Sequence, residues 1–89
     1  MYEIIYTRKF LKDFKRHAKS GIPFRERLNE VIKILGLKSL PGDKYKDHKL
    51  NGKWEGYREC HILFDLLLVY KQYATHVELI TLDTHDALF

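Results

Sequence analysis

Apolar residues fall along this 89-residue chain in three different rhythms, and each rhythm predicts a kind of element. Tyr2-Glu3-Ile4-Ile5-Tyr6 alternates with a period of two, which predicts a short strand with Tyr2, Ile4 and Tyr6 on one face. Thr7 then stands where a helix N-cap belongs, and Phe10, Leu11, Phe14 and Ala18 form a helical stripe running to about Lys19. Ser20-Gly21 ends that helix. Pro23 suits the first turn of a second one, whose buried stripe is Phe24, Leu28, Val31, Ile32 and Leu35, closed by Gly36. Leu40-Pro41-Gly42-Asp43 reads as a loop. The polar stretch to Lys53 has no clear period.

Three strands follow, at about 54–61, 65–72 and 76–82. The middle one, Asp65-Leu66-Leu67-Leu68-Val69-Tyr70, is apolar at successive positions, as a strand covered on both faces would be. Connections at 62–64 and 73–75 are short enough for hairpins. The predicted architecture is α+β: an N-terminal strand, an antiparallel helix pair, then three antiparallel strands in a sheet with the helices packed on one face. Repeats and linkers are absent, so residues 1–89 are expected to form one small domain.

Composition narrows this further. At 45% hydrophobic and 13% aromatic, the chain has the makings of a packed core and is not of a disordered class. The longest apolar run, Leu66 to Tyr70, is too short to span a bilayer, and the N-terminus has no secretory pattern. Cys60 is the one cysteine, which excludes an intramolecular disulfide and fits a reducing cytoplasm. Charge is polarised. Residues 1–50 carry 13 Lys/Arg against 6 Asp/Glu, a balance of +7, whereas residues 51–89 carry 3 against 6, a balance of −3. Much of the excess lies on the first helix, in Lys9, Lys12, Lys15, Arg16 and Lys19. Such a face suits a polyanionic partner, or is a solvated helix surface.

Chemistry-bearing residues concentrate outside the two long helices. His48, His61, Asp65 and His85 supply proton-transfer groups near neutral pH, and Arg58 supplies a forked cation. This set suffices for RNA cleavage through the 2′-hydroxyl: a base, an acid and positive charge on the phosphate. Each residue also has a plainer reading. His48 suits a surface loop, His61 a hairpin cap and Asp65 a turn; His85 can pair with Asp83 or Asp86, and Trp54 and Phe89 suit a core. Arg58 and His61 are three apart, so a regular strand sends them to opposite faces. Either a bulge realigns them, or Arg58 belongs to a buried ion pair. Zinc ligation by His48, His61, Asp65 and His85 is disfavoured, because the spacing of four between His61 and Asp65 shares a face only on a helix. Cys60 reads as a buried strand residue, and His17 and His76 carry no assigned role.

Tyr45-Lys46-Asp47-His48, Leu50, Gly52, Trp54, Gly56-Tyr57-Arg58, His61, Asp65, Leu68-Val69-Tyr70-Lys71 and the ending Thr84-His85-Asp86-Ala87-Leu88-Phe89 together resemble the YafQ branch of the RelE-like toxins of bacterial toxin–antitoxin modules. The resemblance implies a ribosome-dependent endoribonuclease that cuts mRNA in the A site; because protein groups can supply proton transfer and charge stabilisation, no metal or cofactor is expected. It also implies a cognate acidic antitoxin, and operator DNA bound only through the antitoxin complex. It puts His48, His61, Asp65 and His85 on catalytic positions, and Trp54 and Phe89 on positions of substrate placement or site integrity. The first helix would meet ribosomal RNA. The chain departs from the pattern at Lys49 and Phe64, where proline is common, at Thr81, where relatives often have arginine, and at Asp83, where glycine usually stands. Arg58 or Lys49 is the expected substitute for the missing arginine. The competing function is a non-catalytic binder, either a co-repressor with its antitoxin or an inhibitor of another target in the manner of ParE-like proteins.

Overall fold

A computed structural model describes residues 1–37 and 42–89. The expected α+β plan is present. Strand β1 (Glu3–Tyr6) leads into helix α1 (Arg8–Ala18) and helix α2 (Arg25–Leu37). A short helix α3 (Gly42–Tyr45), strand β2 (His48–Lys49) and a 3₁₀ turn at Gly52–Trp54 come next. Strands β3 (Arg58–Leu63), β4 (Leu66–Gln72) and β5 (His76–Asp83) follow, and helix α4 (His85–Leu88) ends the chain. The five strands form one sheet in the order β1-β5-β4-β3-β2, antiparallel except for the parallel pair β1–β5.

One sheet face carries the core. Cys60 and Ile62 of β3, Leu66, Leu68 and Tyr70 of β4, and Val77, Leu79 and Leu82 of β5 pack with Phe10 of α1 and Phe24, Leu28, Val31 and Leu35 of the α2 segment. Leu79 and Leu82 are three apart yet both reach this core, because a bulge opposite Val69 and Tyr70 shifts the register of β5. The other face of β4 carries Leu67 and Val69, which are also buried. That explains the unbroken apolar run.

Thr7 caps α1 as expected, its Oγ1 accepting the Phe10 N–H at 3.3 Å while its hydroxyl donates to the Leu79 carbonyl at 2.7 Å. The buried stripe of α1 differs from the prediction. Leu11 is 45% exposed, and Asp13 is buried in its stead. At about 100° per residue, Leu11 falls on the rim of the arc held by Phe10, Phe14 and Ala18, whereas Asp13 falls inside the sheet-facing side. Pro23 precedes α2 rather than sitting in its first turn, since the Phe24 carbonyl accepts the Leu28 N–H. Helix α2 runs through Gly36 to Leu37. Gly36 does not stop the helix: its carbonyl takes the Tyr2 N–H at 2.8 Å, and a Cβ there would stand in ordinary contact with Tyr2 and Ile4. In the predicted loop at 40–43, Leu40 and Pro41 lie outside the described residues, and Gly42 and Asp43 belong to α3.

Candidate active site

The C-terminal half builds the site on the sheet face opposite the core. The backbone period of two sends Glu59 and His61 of β3 to one side, and Arg58 and Cys60 to the other. Strand β2 adds His48 directly across from Glu59 and Lys49 across from Arg58. The segment between β2 and β3 turns back through the 3₁₀ turn and Gly56, whose φ of 93° lies in the left-handed region that a side chain disfavours. This return places Trp54 beside Tyr57, with ring centroids 5.6 Å apart.

Helix α4 closes the site. Thr84 caps it by accepting the Ala87 N–H. Asp65, at the β3–β4 hairpin, accepts the His85 backbone N–H at 3.1 Å. Two short polar contacts therefore fix where His85 and Phe89 stand. The Phe89 ring meets Trp54 at 6.0 Å and His85 at 5.2 Å. The result is a shallow cleft of about 270 Å³ whose lining includes His48, Glu59, His85, Trp54 and Phe89. The Trp54 indole N–H is buried and has no acceptor among the described residues.

Glu59 is the residue that sequence reasoning did not place in the site. It is 4% exposed, and one of its carboxylate oxygens lies 3.5 Å from His48 Nε2 and 3.7 Å from His61 Nε2. It therefore lies between the two imidazoles, and pairs with either ring only when that ring is protonated. His48 Nδ1 is 2.7 Å from the Lys46 carbonyl. A carbonyl can only accept, so Nδ1 carries the proton and Nε2 is the nitrogen turned to Glu59. Glu59's position two residues before His61 was the available signal, since it puts both on one strand face.

Arg58 and Lys49 do not join this set. Arg58 donates to Asp47, with Nη2 to Oδ2 at 2.7 Å, and Tyr70 donates to the same carboxylate at 2.5 Å. The bulge of β3 falls between His61 and Leu63, past the stretch that would have to be realigned. Arg58 thus lies on the core side in a largely buried ion pair, the second of the two alternatives its spacing allowed. Asp47 and Tyr70 hold the guanidinium's pKa above its ordinary value, first through the hydrogen bonds it donates to Asp47. Lys49 and Arg58 line a separate depression of about 620 Å³ with Asn51, Tyr57 and Gln72.

The two C-terminal departures are both absorbed by α1. Thr81 is fully buried, and its hydroxyl donates to Asp13 Oδ2 at 2.5 Å; the Leu82 N–H donates to the same oxygen at 3.1 Å. Burial pushes the Asp13 carboxyl up, but hydrogen bonds from Thr81, Leu82 and Lys9 outweigh it and hold the pKa below its ordinary value. Asp83 accepts from Arg16 at 2.6 Å and lies 3.4 Å from His17, so its charge is compensated from the helix. Its other oxygen accepts the Thr84 N–H at 2.9 Å, which ties α1 to the start of α4.

On the outer surface of α1, Lys9, Lys12, Lys15, Arg16 and Lys19 are all exposed. Lys9 and Arg16 pair with Asp13. Lys12, Lys15, Arg16 and Lys19 line a shallow basic surface with Ser20. Cys60 is fully buried, and desolvation raises its thiol far above the ordinary value, which removes it as a nucleophile. Among the described residues no group of three or more His, Cys, Asp or Glu is placed to hold a metal ion. No described helix is long and apolar enough to cross a membrane.

Residues 2–89 match the family described as the bacterial toxin of type II toxin–antitoxin systems, YafQ. The chain belongs to the YafQ toxin family. It is 34% identical over 88 residues to the mRNA interferase toxin YafQ of Escherichia coli K12, covering 98% of this chain and 95% of the relative. Among solved structures, it is 32% identical to YafQ from E. coli BL21(DE3), with a TM-score of 0.90 over 100% of this chain and 99% of that one. A copper-bound mutant toxin from Helicobacter pylori is 37% identical, with full coverage of both chains and a TM-score of 0.92. The YafQ of the E. coli DinJ–YafQ complex is 33% identical, with a TM-score of 0.86 over 100% of this chain and 99% of that one.

Proposed function

We propose that this YafQ-family toxin is an endoribonuclease that cuts mRNA on the ribosome through attack of a 2′-hydroxyl on the adjacent phosphate. The products would be a 2′,3′-cyclic phosphate and a free 5′-hydroxyl. The observation that carries this reading is the cleft shared by His48, Glu59 and His85, with Trp54 and Phe89 beside them. A binding module has no need of His48, Glu59 and His85 lining one cleft, with His61 against Glu59 and Asp65 holding the His85 amide. The relative called an mRNA interferase toxin supports mRNA as the target.

In this mechanism Asp65 takes the proton of the 2′-hydroxyl and His85 gives one to the leaving 5′-oxygen. His48 and His61, held about Glu59, polarise the 2′-hydroxyl and the phosphate oxygens. His48 competes with Asp65 for the base, because it lines the cleft with His85 whereas Asp65 already spends Oδ1 on the His85 amide. Trp54 and Phe89 stack on a codon base, a contact worth roughly 1–3 kcal/mol. The exposed lysines of α1 meet ribosomal RNA or an acidic segment of an antitoxin; that an antitoxin partner exists is supported by the E. coli YafQ being found in complex with DinJ. Acting on ribosomes places the protein in the cytoplasm, and operator DNA would be reached only through the antitoxin complex.

The test is cleavage of mRNA on translating ribosomes against cleavage of the same RNA free in solution. Ribosome-dependent cutting supports the proposal, whereas equal cutting of naked RNA contradicts it. The alternative, a non-catalytic binder, predicts growth arrest that survives His85→Ala.

A further inference from the structure

Lys71 stands in the stretch Leu68-Val69-Tyr70-Lys71, and nothing in the mechanism above uses it. It lies on β4, two residues beyond Val69, the cross-strand partner of Glu59. The period of two therefore turns it to the same sheet face as Glu59 and His61, about 6.8 Å along the strand from Val69. Its ammonium is 5.1 Å from the Tyr57 ring centroid and 5.4 Å from that of Tyr73. Gly56 lies alongside the lysine stem, with its missing Cβ position 4.0 Å from Cε. Tyr73 is itself fixed, stacked on His76 at 4.4 Å and donating its hydroxyl to Glu78 at 3.1 Å. Glu78 is the cross-strand partner of Lys71, and Glu59, across from Val69, is a further carboxylate on this sheet face. Among the described residues, however, no carboxylate lies within ion-pairing distance of Lys71. Two aromatic rings thus hold a cation in place without neutralising it.

We infer that Lys71, ordered by Tyr57 and Tyr73, binds a phosphodiester of the mRNA next to the one that is cut. The inference rests on the nuclease reading and adds a subsite to it. A lysine sandwiched between rings has lost its side-chain freedom before RNA arrives, so contact with a phosphate costs little further ordering. The cation on the opposite side of β3, Arg58, is committed to Asp47 and cannot serve here.

The experiment is steady-state cleavage of ribosome-bound mRNA by wild type, Lys71→Met and Lys71→Arg over a range of monovalent salt at fixed magnesium. Lys71→Met should raise KM roughly tenfold, with the loss falling mainly on KM, as expected for one charge-assisted contact. The slope of log KM against log salt should fall by about 0.7, the value for one phosphate contact on a single strand. Lys71→Arg should restore most of the affinity and the slope. An unchanged slope in Lys71→Met overturns the subsite. A neutral methylphosphonate next to the cut should erase the difference between wild type and Lys71→Met. A difference that persists overturns the mRNA assignment and gives the contact to ribosomal RNA. If wild type does not cleave ribosome-bound mRNA at all, the nuclease reading fails instead, so the two failures are distinguishable.

Discussion

Asp13→Ala removes the acceptor that fastens α1 to β5. Asp13 is 1% exposed and takes two buried donors, the Thr81 hydroxyl and the Leu82 N–H, on one oxygen. Each donor left without an acceptor costs about 1–3 kcal/mol. The Lys9 and Arg16 pairs add little, since those side chains are 62% and 54% exposed. Relief from burying a carboxylate offsets part of the loss. The expected net is about 3 kcal/mol, or roughly 12–24 °C in Tm for a chain of this size. Urea unfolding followed by circular dichroism measures it directly. Thr81→Val in the same background removes one of the orphaned donors and should recover about 1 kcal/mol. The acid limb carries a second signature. Because the folded pKa of Asp13 is depressed, its contribution is complete above the unfolded value of about 3.9 and fades as pH falls through the folded value. Asp13→Asn should therefore flatten the loss of stability in that acid range. A cost below about 1 kcal/mol for Asp13→Ala, or no recovery with Thr81→Val, refutes the reasoning.

Arg58→Met should act on stability, by about 2 kcal/mol, rather than selectively on cleavage. It strands the nearly buried Asp47 carboxylate, although the arginine's 31% exposure tempers the cost. Asp47→Asn in the Arg58→Met background should recover part of that loss in chemical denaturation. Glu59→Gln should leave the chain folded yet slow mRNA cleavage by roughly 10- to 100-fold, because His48 and His61 lose the carboxylate between them; activity at the wild-type level would remove Glu59 from the site. Cys60 should resist a thiol reagent in the native protein at pH 8 and react fully in guanidinium, since it is buried and its thiol is held protonated.

The apolar rhythms carried most of the fold. Leu66 to Tyr70 announced a covered central strand, and Thr7 and the spacing of Leu28, Val31 and Leu35 announced the helices. Strand β2 escaped because two residues cannot show a period, and its pairing depends on where β3 lies. The parallel docking of β1 on β5 joins segments some seventy residues apart, which no local pattern encodes. Leu11 and Asp13 exchanged expected places because a hydrophobic stripe ignores polar residues that bring their own partners; Thr81 and Leu82 lie far along the chain.

The site was legible in its histidines and less so in its carboxylates. The strand period already offered an ion pair for Arg58, and the structure supplied Asp47 as its partner. Glu59 sits between Arg58 and Cys60, and the strand pattern alone gives its charge no partner. Only the cross-strand placement of His48 puts it between two imidazoles. Thr81 and Asp83, the departures from the family pattern nearest His85, are bound to Asp13 and Arg16 of α1, so the segment that carries His85 is anchored to the basic helix.

The central claim is that this cleft performs acid–base cleavage of RNA. The most direct measurement is single-turnover cutting of an mRNA on programmed ribosomes by wild type and His85→Ala, with the chemistry of both new ends determined. The account predicts 2′,3′-cyclic phosphate and 5′-hydroxyl ends from wild type, and a rate roughly 10²- to 10⁴-fold lower for a folded His85→Ala protein. Equal rates from the two proteins, or 5′-phosphate ends, would contradict it.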